Sequence, residues 1–189
     1  MGRKKSYNRG EVLDQSMKLF WEKGYEGAHL QELVKVTGLN RFGLYKEFGS
    51  KQGLLKEALE KYLGDMEFLG NILKQEPKGL DNLQQYFDAT INYPFYHGCF
   101  AVNLLTQHPV LSDESRDKLF QFFSDGEQLL FDNLRAAKEA GDINAEIDIE
   151  LLAKFTAIFD IGLVVFDIFK PDMRDKQKLM ALLKKLITN

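Results

Sequence analysis

The chain has 189 residues, 44% hydrophobic and 28% charged, with a single cysteine. This is the make-up of ordinary folded protein with one large core or two small ones, and it excludes an intramolecular disulfide framework and fits a reducing cytoplasm. No apolar run reaches the roughly 18–20 residues of a membrane helix, and the basic start has no apolar stretch behind it, unlike a secretion signal. The formal net charge of −3 divides unevenly, with ten Lys/Arg against six Asp/Glu in residues 1–51 and 15 against 22 in the rest.

Clustered cations release counterions from nucleic acid, so this basic head on an acidic body permits such contacts through the head alone. Arg3, Lys4 and Lys5 precede any helical pattern and form a tail, either solvated or adding sequence-independent phosphate or minor-groove contacts. Asn8-Arg9-Gly10-Glu11 has the spacing of a capping box. Leu13, Met17, Phe20 and Trp21 then recur at helical spacing to about Lys23, where Gly24 supplies the stop. A second helix starts near His29 and places Leu30, Leu33 and Val34 inward. His29 occupies a position where Ser, Thr, Asp or Asn is usual; at a helix N-terminus its imidazole can join a phosphate contact or simply face solvent.

Gly38 makes a tight turn, Asn40 caps a third helix, and that helix buries Leu44 and Phe48. An inward apolar side with an outward polar, basic side carrying one aromatic is the layout of a helix-turn-helix, whose second helix enters the DNA major groove. Arg41 can donate twice to guanine, Phe42 suits a thymine methyl, and Gly43 lets backbone approach closely. Tyr45 and Lys46 reach phosphates or base edges. Glu47 is the oddity, since a carboxylate beside phosphate is repulsive; it either turns away or helps reject wrong sites.

Ser50 caps a fourth helix whose stripe, Leu54 to Met66, continues to about Leu73. Beyond Pro77 the pattern stays helical: Leu80 to Tyr93, His97 to Gln107, a long helix from the Ser112 cap to about Ala140, Ile149 to Phe169 behind Asp148, and Asp172 to Ile187. The expected fold is all-α, a three-helix head with a helix-turn-helix joined by a long helix to a larger helical body, divided as 1–51 and 52–189. Aromatic residues are concentrated in the body, which allows either a plain core or an apolar pocket with a few orienting polar groups. The candidates for such a pocket are Tyr93, Tyr96, Phe100, Asn103, Phe123, Thr156 and Phe159. Cys99 has no flanking lysine or arginine to activate it, and His97, Cys99 and His108 are poorly spaced for a metal.

Phe20, Lys23-Gly24-Tyr25, Leu33, Gly38-Leu39-Asn40, Leu44-Tyr45, Phe48, Ser50-Lys51 and Leu54 together resemble the tetracycline-repressor (TetR) family over about 45 residues. In the body the likeness is limited to helix order, length and Gly98-Cys99-Phe100-Ala101-Val102-Asn103. The resemblance implies a cytoplasmic homodimer, paired through its last two helices, that represses from a palindromic double-stranded operator until a small-molecule effector enters the body. It places Arg41, Phe42, Gly43, Tyr45 and Lys46 on the DNA, with Gln31 able to reach a base and Lys51 a phosphate; His29 and Asn40 complete the candidate set. No cofactor, metal or membrane partner is expected. A DNA-binding architectural protein without a ligand is the alternative. Catalysis has no support, because no nucleophile elbow, phosphate loop or zinc spacing appears and three scattered histidines form no triad.

Overall fold

The computed structural model describes residues 7–93, 98–169 and 173–188; the basic tail Arg3-Lys4-Lys5, Tyr96, His97 and Asp172 lie outside them. Among the described residues there are ten α-helices and one isolated β-bridge, between Ile143 and Thr188. Local signals set the first helices. α1 (Arg9–Gly27) begins with Asn8 accepting from the Gly10 amide at 3.0 Å, and its regular part ends where Gly24 takes φ 70°, ψ 175°. Glu11 does reach back, but to the Asn8 side-chain amide at 3.3 Å.

α2 (Leu30–Thr37) stops at Gly38, which is left-handed at φ 67° and donates its amide to Val34 at 3.0 Å. α3 (Arg41–Phe48) starts on Asn40, whose Oδ1 accepts from the Gly43 amide at 2.8 Å. α4 (Lys51–Asp65) starts on Ser50, whose hydroxyl accepts from the Gly53 amide at 3.0 Å. A continuous helix from Ser50 to Leu73 does not form. It breaks at Met66 and resumes as α5 (Glu67–Leu73). Gly64 weakens the helix just before the break. Met66, Leu69 and Leu73 are buried, so the apolar stripe runs across the break and gives no sign of it.

α6 (Leu80–Asn92), α7 (Phe100–Leu105), α8 (Asp113–Glu139), α9 (Ile149–Phe169) and α10 (Met173–Ile187) follow. Ser112 and Asp148 cap α8 and α9 through the Ser115 and Leu151 amides at 3.3 and 3.1 Å.

The chain forms two compact units. The first comprises residues 1–65 and 100–119, the second 66–99 and 120–189. The unit that holds the helix-turn-helix is therefore larger than residues 1–51. Its core explains why: Leu54, Leu55, Ala58, Leu59 and Tyr62 of α4 are buried with Leu13, Phe20 and Trp21 of α1. The rings of Trp21, Tyr62 and Phe100 meet with centroids 5.4–5.6 Å apart, within the range of favourable aromatic pairs. Gln107 fastens the end of α1 by accepting from the Tyr25 amide at 2.9 Å.

The second unit packs Leu73, Leu83, Leu130, Leu134, Leu152, Leu183 and Ile187 into one cluster. Asn133, fully buried, joins three elements there. Its amide nitrogen donates to the Leu73 and Leu129 carbonyls at 2.7 and 2.9 Å, and its Oδ1 accepts from the Gly79 amide at 3.1 Å.

Gly53 marks the tightest joint of the first unit. A Cβ at this position would lie 2.0 Å from the backbone oxygen of Phe48, the last residue of α3. Gly53→Ala gains about 1 kcal/mol of helix preference but forces α3 and α4 apart, an overpacking cost of about 1–3 kcal/mol. The expected result is a net loss of thermal stability with weaker DNA binding, measured by melting and fluorescence anisotropy; an unchanged or raised melting temperature would refute the joint.

Candidate nucleic-acid interface

The outer face of α3 is built by subtraction. Leu44 and Phe48 go into the core, which leaves Arg41, Phe42, Tyr45 and Lys46 exposed on one short helix. Phe42 is 75% exposed, a large apolar ring held in water by nothing the monomer needs. The Arg41 guanidinium lies over the Tyr45 ring at 5.5 Å, which limits the side chain's freedom before any partner arrives. Gly43 has a local reason as well. A Cβ there would come within 3.3 Å of Asn40 Oδ1, the atom that caps the helix.

Glu47 turns away from that face. It accepts from the Tyr7 hydroxyl at 2.6 Å and pairs with Arg9 Nε at 2.9 Å, with only 14% of its side chain exposed. Arg9 also pairs with Glu57 on α4 and lies over the Phe48 ring at 5.0 Å. A single arginine at the start of α1 thus holds both later helices, and the repulsive carboxylate is answered internally. Sequence reading missed Arg9 in this role, because its partners lie 38 and 48 positions away. Gly53 was also missed, although the Ser50 cap three residues earlier was a usable signal.

His29 is exposed, has extended backbone and makes no side-chain cap. Glu32 pairs with Lys23, and that hydrogen bond is the main cause holding its carboxyl below the usual range. Gln31 is exposed at the start of α2. Lys51 is half-buried at the start of α4 with its ammonium 4.4 Å from the Tyr25 ring centre, and burial lowers its pKa.

The candidate pocket residues separate. Phe100 is 0% exposed and Asn103 half-buried, both in the first unit, where Phe100 is spent on the Trp21–Tyr62 cluster. In the second unit Tyr93 lies against Phe68, Phe123 against Phe122, and Phe159 between Phe87 and Phe155. Thr156 is buried, with its hydroxyl donating to the Leu152 carbonyl at 2.7 Å.

One buried polar pair in this unit was not anticipated. The Tyr86 hydroxyl on α6 donates to Asp160 Oδ2 on α9 at 2.8 Å. Asp160 Oδ1 is buried and has no hydrogen-bond partner among the described residues. Burial lifts the Asp160 carboxyl to about 6 against the Tyr86 hydrogen bond, which lowers it. Burial, then the Asp160 charge, pushes the Tyr86 hydroxyl well up.

Two family models match. Bacterial regulatory proteins of the tetR family match residues 12–58, and the tetracyclin repressor-like C-terminal domain matches residues 79–169. The HTH-type transcriptional repressor ComR of Escherichia coli (strain K12) is 31% identical over 160 residues, covering 82% of this chain and 76% of that protein. A cysteine mutant of the TetR family transcriptional regulator CifR, solved with 26-bp double-strand operator DNA, superposes with a TM-score of 0.80 at 28% identity, covering 97% of this chain and 98% of its own. A TetR family regulator from Agrobacterium tumefaciens has the same fold, with a TM-score of 0.83 at 16% identity over 95% of this chain and 97% of its own. The chain belongs to the tetR family of bacterial regulatory proteins; it is a sequence-specific DNA-binding transcriptional regulator.

The buried carboxyl has a measurable signature. The native state holds the Asp160 proton more tightly than the unfolded chain does, at about 6 against 3.8. Its contribution to stability is therefore full below about pH 4 and lost as pH rises through about 6. Asp160→Asn does not titrate, so its stability relative to the parent should grow by on the order of 2–3 kcal/mol between pH 4 and 7. Urea unfolding at several pH values checks this; a difference that is flat or falls with pH would contradict the assignment.

Proposed function

We propose that the chain is a homodimeric repressor that reads a palindromic operator through α3 and leaves it when a small molecule occupies the second unit. The observation that carries the DNA half is the α3 face: four exposed side chains able to contact bases or phosphate, on a helix otherwise committed to the core, with its one acid withdrawn. Residues 1–51 act as the reader. Gln31, Arg41, Phe42 and Tyr45 face base edges. His29, Lys46 and Lys51 face phosphate, with Asn40 and Gly43 setting the approach of the α3 N-terminus. The second unit supplies pairing and ligand, with Tyr93, Tyr96, Phe123, Thr156 and Phe159 as candidates around the effector. No described helix is long and apolar enough to cross a membrane, and the reading assigns no catalytic role or cofactor; the site of action is the cytoplasm, where the DNA is.

Support for pairing through α9 and α10 comes from what they leave uncovered. Leu151, Phe155 and Ile158 on α9 and Leu182 and Leu186 on α10 are all more than half exposed, while Leu183 and Ile187 turn into the core. Such stripes suit an isologous four-helix contact.

Selection of binding sites from random duplexes should return a two-fold symmetric sequence, with affinity falling steeply as salt rises. Arg41→Ala should cost about 1–3 kcal/mol and relax selectivity at one position of each half-site. Uniform loss across all sequences would instead favour a non-selective architectural role.

Ile158, 69% exposed, tests pairing. Ile158→Asp should yield monomers by sedimentation and lose operator affinity by at least about a hundredfold, because each half-site would bind alone. A dimer that persists would overturn the interface.

A further inference from the structure

Asp160 Oδ1 is the anomaly of the second unit. A buried carboxylate oxygen that meets no donor is costly, and such atoms in a native fold call for a cause. Its other oxygen is satisfied by Tyr86. Desolvation and that Tyr86 hydrogen bond are what act on the carboxyl, with no cation facing it among the described residues. Thr90 stands four residues after Tyr86, on the same face of α6; it is 3% exposed, and its hydroxyl faces the Tyr86 hydroxyl, whose pKa it lowers. Phe87 packs edge-on against Tyr86 and meets Phe159 with ring centroids 6.4 Å apart.

We propose that Asp160, aided by Tyr86 and Thr90, is the anchoring subsite for an organic cation that carries N–H donors, an ammonium or amidinium group on an apolar or aromatic body. This rests on the reading that the second unit takes a small molecule. The chemistry selects the class. Oδ1 accepts and does not donate when ionised, which excludes a carboxylate or phosphate ligand by repulsion. A neutral hydrocarbon would leave the oxygen unanswered. An N–H cation supplies both the missing donor and the missing charge, and charge-assisted bonds of this kind are the strong ones. Tyr86 fixes the carboxyl through Oδ2, so Oδ1 is held in place rather than searching for a donor. The Thr90 hydroxyl can accept a second N–H from the same group, and Phe87 and Phe159 offer ring surface to its body.

The test uses the full-length protein without DNA and a panel of aromatic primary amines and benzamidines, each with the alcohol and the carboxylate of the same skeleton. Binding is read by ligand-observed NMR and calorimetry. Amines and amidines should bind, the matched carboxylates should not, and Asp160→Asn should weaken the amines by at least about tenfold. Tyr86→Phe keeps the carboxylate but removes its clamp, so it should weaken the amines measurably and by less than Asp160→Asn does. A cooperative melt confirms that each variant is folded. No amine binding by the parent protein, preference for carboxylates, or amine affinity unchanged in Asp160→Asn would each overturn the proposal. Operator release is measured separately by anisotropy. An amine that binds through Asp160 yet leaves DNA affinity untouched would uphold the subsite and count against the ligand-release reading alone.

Discussion

An eight-residue helix cannot hold itself together in water, because nucleation costs more than two turns of hydrogen bonds return. α3 is such a helix, and in the proposed reading it is also the one whose outer side must stay free for DNA. Every neighbouring feature of the first unit answers this constraint. Leu44 and Phe48 bury one side; Asn40 caps the start and Gly49 turns the chain at the end. Gly53 lets α4 approach the last carbonyl of α3 without a side chain between. Arg9 reaches across from α1 to Glu47 and Phe48. The reading surface is therefore rigid by external support, and the free side chains need no role in stability. That separation would allow the proposed contact residues Arg41, Phe42 and Lys46 to change without disturbing the frame beneath them.

The second unit follows a different rule. Its cluster of leucines is closed by Asn133, whose side-chain amide is fully engaged where α5, α6 and α8 meet. Tyr86 and Asp160 do not close in the same way. A satisfied buried network stiffens a core, whereas a half-satisfied one lowers the stability of the empty form. A regulator gains from this, because an occupant that completes the network acts on a state already short of its best packing.

The sequence disclosed what is local. Caps at Asn8, Asn40, Ser50, Ser112 and Asp148 and stops at Gly24 and Gly38 are written within four residues of where they act, and all appear as expected. The helix-turn-helix and the all-α fold followed from them and from apolar periodicity. Three features had no local trace. The break at Met66 sits inside an uninterrupted apolar stripe. Glu47 is answered by Arg9, and Tyr86 meets Asp160 across 74 positions, separations at which no periodic pattern connects two residues. Phe100 read as pocket lining because an aromatic beside a loop looks alike in a core and in a cavity; only its packing on Trp21 and Tyr62 tells them apart.

Phe42 carries one more consequence. The phosphate contribution to DNA affinity fades as ions compete, but the contribution from removing an aromatic ring from water does not depend on counterions. In the proposed complex, rising ionic strength strips affinity from every sequence and leaves the thymine-facing ring contact intact. Total binding then falls with salt while the discrimination this ring provides stays level, so a weaker grip costs the regulator no fidelity at that base.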